Sequence, residues 1–151
     1  MAGPQVDFYV LPGDESAARL RFACRLVEKA WLKRHRVRVQ LDPGGELEAF
    51  DQMLWTFSDR AFVPHRRVAT AGDLPAPAPA EVVLADTVVA DAADGDVLVN
   101  LASAPPASGD WSRIAEVIDA DALRRRNGRE RYRAYREQGL EPQTHDMGNE
   151  A

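Results

Sequence analysis

The chain is poor in the features that build redox, membrane or metal chemistry. A single cysteine, Cys24, excludes an internal disulfide and suits a reducing compartment. It falls in an apolar-periodic segment, so it reads as a small core residue and not as a nucleophile. No stretch approaches about 18 apolar residues, and the N-terminus lacks a basic region followed by an apolar run. These absences predict a cytoplasmic protein without membrane contact. His35, His65 and His145 are scattered, without the i,i+4 or cysteine pairing of metal sites. "LPGDESAARL" lacks the spaced glycines that admit a pyrophosphate. "DPGGELEAF" sets two glycines before a helix but has neither a Walker lysine nor the dinucleotide pattern. Ser103 and Ser108 lie in proline-rich loops without an elbow motif, and the aspartates around Asp86–Asp96 fit no EF-hand spacing. No catalytic constellation, metal or cofactor is expected.

What is present suits one ordinary domain: 151 residues, 45% hydrophobic and 28% charged. "VDFYVL" (Val6–Leu11) is a β-rich run ended by "PGD". A helix follows, with Ser16 as its expected cap. Its inner face carries Leu20, Ala23, Cys24, Val27 and Trp31, with Arg19 turned elsewhere. "RVRVQL" alternates, so Val37, Val39 and Leu41 share one face. Glu46–Trp55 forms a short helix on Leu47, Phe50, Met53 and Leu54. Thr70–Ala80 is a proline–alanine loop. "EVVLA" and "DVLVNL" are strands joined by an acidic connector, and "RIAEVID" is read as another strand. A last helix runs from about Asp121 to Gln138, with Asp119 or Asp121 as cap and Gly139 as stop. The β-α-β opening followed by further strands and helices indicates an α/β layered sheet. One domain spans residues 1–140, with 141–151 as a polar tail.

Charge is unevenly placed. Arg124–Arg136 holds seven arginines and one glutamate, netting +6, so the remainder carries −11 against an overall −5. An acidic body repels phosphate backbones at long range. At 100° per residue, Arg125, Arg129, Tyr132, Arg133 and Arg136 share one stripe about 100° wide. Tyr135 lies on a flank with Arg124, Gly128 and Arg131. Planar guanidiniums beside an aromatic ring suit an acidic peptide ending in an aromatic, or single-stranded nucleic acid. Asn127–Gly128 sits inside this helix, where the glycine costs about 1 kcal/mol relative to alanine. A kink there could part Arg125 from Arg129.

A second cluster is "LWTFSDRAFVPHRR", where Trp55, Phe57, Phe62 and Val63 crowd a turn next to Pro64 and His65. Core plug and partner-binding patch are equally open readings of these aromatics.

At these segments the chain resembles the chi subunit family of bacterial DNA polymerase III. The resemblance rests on "VDFYVL", "ACRLVEKAWLKRHRVRV", "LWTFSDRAFVPH" and "GRERYRAYREQGLEPQTHDM" together. It implies a three-layer α/β/α fold with a mostly parallel sheet, Rossmann-like but without a phosphate-binding loop. It also implies a non-enzymatic accessory subunit of the clamp-loader assembly, whose contact with DNA is mainly indirect. One surface would bind the psi subunit and another the acidic, Phe-ended C-terminal tail of single-stranded DNA-binding protein. Carried over by motif, Arg125, Arg129, Tyr132, Arg133 and Arg136 would take the tail, with Ile118 or Ala122 as apolar pocket candidates. Trp55, Phe62, Val63, Pro64 and His65 match the surface used for psi, which another protein such as a helicase could occupy instead.

Overall fold

Val6, Phe8 and Val10 point to one side of the first strand, and Tyr9 and Leu11 to the other. That two-residue alternation runs across the sheet and buries both of its faces. The computed structural model describes residues 3–42, 45–58, 62–68, 82–86, 96–103, 105 and 111–149. The Thr70–Ala80 loop, the connector 87–95, Pro43–Gly44 and Ser108 lie outside the described residues.

In chain order the elements are β1 (Gln5–Val10), α1 (Ser16–Leu32), β2 (Val37–Leu41), α2 (Gly45–Thr56), β3 (His65–Val68) and β4 (Val82–Asp86). Then come β5 (Val97–Asn100), β6 (Arg113–Ile118), α3 (Ala122–Glu137) and β7 (Gln143–Asp146), closed by a 3-10 turn at Met147–Asn149. The sheet runs β3-β4-β2-β5-β6-β1-β7, and each neighbouring pair is parallel. The fold is therefore three-layered α/β/α, as expected, and its sheet is wholly parallel among the described strands.

Helices α1 and α2 cover one face. Leu20, Ala23, Cys24 and Val27 of α1, with Phe50 and Leu54 of α2, pack on Val37, Val39, Leu41, Val82, Leu84 and Val99. A side chain buried as fully as Phe50 contributes about 1.5–3 kcal/mol. Cys24 is fully enclosed, and burial pushes its thiol up to about 12, so it packs and does not react. Helix α3 covers the opposite face, where Tyr135 joins Val6, Phe8, Leu98, Ile114 and Ile118.

Several expectations need correction. Ser16 does not cap α1: Glu15 holds the cap position, without a side-chain hydrogen bond, and Ser16 is already helical. Arg19 does not face away but is buried, its guanidinium reaching Glu46 at 2.6 Å and the Leu101 carbonyl at 3.3 Å. Arg38 and Gln40 alternate with the valines of β2 yet are buried as well, and Gln40 Nε2 donates to Asn100 Oδ1 at 3.4 Å and to the Pro105 carbonyl at 3.0 Å. Two strands escaped the hydrophobic pattern. β3 ("HRRV") and β7 ("QTHD") are short, polar edge strands whose backbones pair with β4 and β1. The segment read as a polar tail thus contributes a strand.

Candidate functional site

Helix α3 starts where Asp121 accepts a hydrogen bond from the Arg124 backbone N–H at 3.0 Å. Such a cap stabilises a helix by about 1 kcal/mol. It ends at Gly139, whose φ of 86° suits a residue without Cβ. Between these points the helix is continuous, so Asn127–Gly128 does not break it. The glycine has a packing reason: a Cβ there would meet Ile118 at 3.0 and 3.1 Å. Its absence lets α3 approach β6 closely.

Three inward side chains fix the rotation of the helix. Arg131 Nε donates to Glu116 Oε1 at 2.9 Å and Tyr135 Oη to Glu116 Oε2 at 2.6 Å. Asn100 donates to both Glu116 oxygens at 3.1 Å, and Arg131 also reaches the Ser103 carbonyl at 3.1 Å. Burial holds the Glu116 carboxyl above the usual carboxylate range, offset only in part by Arg131, Tyr135 and Asn100. The Tyr135 hydroxyl is raised by burial and by the neighbouring Glu116 charge. At the start of the helix, Arg124 grips Asp119 through Nε at 2.8 Å and a terminal nitrogen at 2.7 Å. Burial alone would raise the Asp119 carboxyl, but the Arg124 bonds and the Asp121 N–H outweigh it and hold it below the usual range.

Arg124 and Arg131 of the flank are committed, and the arginines of the predicted stripe face out. Arg125, Arg129, Arg133 and Arg136 are exposed, and none makes an ion pair among the described residues. Beside them opens an apolar groove of about 350 Å³. Its floor is Phe8, Val10 and Ile118, its wall the half-buried Tyr132, and its rim Arg125 and Arg129, with Thr144 of β7 across from them. The Tyr132 ring rests against Phe8, centroids 5.4 Å apart. Arg129, Tyr132, Arg133 and Arg136 then continue into a shallow second groove that also includes Glu137. All five stripe residues therefore lie on one surface, and Ile118 lines the groove while Ala122 does not. An apolar groove of this size has the chemistry to suit an aromatic ring, and the cations around it to suit carboxylates.

The second cluster lies at the end of α2 and the approach to β3. Trp55 is 43% and Phe62 66% exposed, and their rings meet at 5.3 Å. Pro64 is exposed beside them. Trp55 also lies against the His65 ring at 4.1 Å. His65 is itself enclosed: Nδ1 lies 2.7 Å from the Val63 carbonyl and Nε2 2.7 Å from Asp51 Oδ1. Val63 is fully buried in the α1–α2 core, so it supports the patch from beneath and does not line it. Phe57 is half-buried against the same core, which favours the core-plug reading for that ring.

Phe8, Val10, Thr144 and the Glu116 clamp were missing from the sequence reading. Phe8 and Val10 lie on β1, far from α3 in the chain, and Glu116 and Thr144 on the strands that flank it, so the periodicity of the helix itself carries no signal of them. No described helix is long and apolar enough to cross a membrane.

Comparison with known proteins adds a family. Residues 4–143 match the family model described as "DNA polymerase III chi subunit, HolC". The DNA polymerase III subunit chi of Pseudomonas aeruginosa is 35% identical over 144 residues, covering 95% of this chain and 96% of the relative. That of Haemophilus influenzae is 25% identical over 142 residues, covering 93% and 96%. Among solved structures, T4 UvsW superposes with a TM-score of 0.63 at 11% identity. That match covers 94% of this chain but only 41% of UvsW, and it speaks to the fold alone.

Proposed function

The chain belongs to the DNA polymerase III chi subunit family, and on that premise we propose that it is a non-catalytic adaptor of the replication machinery. Its α3 surface binds the acidic, Phe-ended C-terminal tail of single-stranded DNA-binding protein. The terminal Phe ring enters the groove over Phe8, Val10 and Ile118. Arg125 and Arg129 take the terminal carboxylate, and Arg133 and Arg136 take upstream aspartates. The Trp55–Phe62–Pro64 patch binds psi, with His65 and Val63 holding it in place, and so ties the protein to the clamp loader. In this role the protein works in the cytoplasm and touches DNA mainly through its partners.

One observation carries the tail assignment: uncommitted arginines border an apolar groove. A surface for bare phosphates needs the arginines but has no use for an apolar hole under them. Paired pull-downs from lysate test the proposal. Phe62→Ala should lose clamp-loader proteins and keep single-stranded DNA-binding protein, and Arg129→Ala should do the reverse. Loss of both partners in either variant would contradict two separate surfaces. Tighter binding of a bare oligonucleotide than of an acidic Phe-ended peptide, at equal salt, would favour direct nucleic-acid binding instead.

A further inference from the structure

On the face of the sheet opposite α3, under the C-terminal half of α1, lies a cleft of about 330 Å³. It opens at the amino-terminal edge of the sheet, above β1, β6 and β5. Strand residues Val97, Val99 and Ala115 form its floor, and Leu26 and Ala30 of α1 its roof. Small side chains on both walls, Ala30 and Ala115, help keep the space open. The sheet separates this cleft from the α3 groove. None of the residues assigned to either partner surface lines it.

Its rim is cationic in a protein of net charge −5. Lys29 lies in the last turn of α1 and Lys33 at its C-cap, Arg113 begins β6, and His35 follows the helix; no carboxylate is among the lining side chains. Arg113 and His35 are partly committed, at 3.6 Å from Asp7 and 3.8 Å from Asp96. Lys29 and Lys33 are exposed and make no ion pair among the described residues. A lysine in the last turn also complements the helix dipole, which accounts for one cation at this place. It does not account for several cations converging on an apolar cleft large enough to hold a ligand.

We propose that this cleft binds a small amphipathic carboxylate. Its apolar body rests on Val97, Val99 and Ala115, and its carboxylate sits among Lys29, Lys33 and Arg113. The intact protein, labelled with nitrogen-15, is titrated with naphthalene-2-carboxylate and with the neutral naphthalene-2-methanol. The carboxylate should cause saturable amide shifts at Lys29, Ala30, Lys33, Val97 and Arg113. The alcohol, and the carboxylate with the Lys29→Glu/Lys33→Glu variant, should each bind about tenfold more weakly. Both lysines are exposed, so that variant retains its fold, and Arg129→Ala should leave binding at this cleft unchanged. Shifts confined to α3, no saturable shift at these amides, or equal affinity for the alcohol or for the charge-reversed variant would each overturn the proposal.

Discussion

Arg129 and Arg131 stand two residues apart on α3, and the helix turns them to opposite ends. Arg131 is 6% exposed and joined to Glu116 and the Ser103 carbonyl, whereas Arg129 is exposed and makes no ion pair among the described residues. Arg124 belongs with Arg131, and Arg125, Arg133 and Arg136 with Arg129. The inner set anchors the helix to the sheet and so decides which way the outer set faces. Six of the seven arginines in this run thus form two devices made of one residue type. Only the outer one is available to a ligand.

Breaking the inner set should have the largest effect. Glu116→Ala leaves the buried Arg131 without its carboxylate and should cost about 3–5 kcal/mol in urea unfolding. A loss below about 1 kcal/mol would mean that the clamp does not anchor the helix. Removing Arg129 should do the opposite. Arg129→Ala should change stability by less than about 0.5 kcal/mol yet weaken an acidic Phe-ended peptide about tenfold or more, read by fluorescence anisotropy. Gly128→Ala sharpens the contrast, because it lies at the junction of the two sets. Helix propensity would gain about 1 kcal/mol, but overpacking against Ile118 costs about 1–3 kcal/mol. The expected net is a loss of about 1 kcal/mol, together with weaker peptide binding.

The smallest expected effect concerns acid. Asp119 is held below the usual carboxylate range, so its contribution is complete above that range and disappears as pH falls through the lowered value. Between about pH 6 and about pH 3 the wild type should lose more urea stability than Asp119→Asn. Parallel loss in both would remove the Asp119–Arg124 pair from the anchoring set.

How much of this could be read from the chain follows from which contacts are local. The β1–α1–β2 opening, the α3 span with its Asp121 cap and Gly139 stop, and the outward stripe all follow from spacing within one element. The strands β3 and β7 did not follow, because "HRRV" and "QTHD" are edge segments held by backbone pairing, without an apolar alternation. The burial of Arg38, Gln40 and Glu116 was equally hidden. Alternating polar residues normally mark a solvated face, and here α3 closes over Glu116 while Gln40 is bonded to Asn100 and the Pro105 carbonyl. Gly128 looked like a weak point because propensity sees only the helix. The reason for it is Ile118, ten residues earlier in sequence and directly beneath it in space. The groove floor needs β1 and β6, and its far side β7, so Ile118 could be suspected but Phe8, Val10 and Thr144 could not.

The central claim is that the outer face of α3, and not the helix as a whole, recognises an acidic peptide with a terminal Phe. Its most direct test is isothermal titration of that peptide, with and without the final Phe, into the wild type, Tyr132→Ala and Arg129→Ala. The account predicts salt-sensitive binding, markedly weakened by deleting the Phe and by either substitution, with all three proteins folded. Unchanged affinity in both variants, or indifference to the terminal Phe, would contradict it.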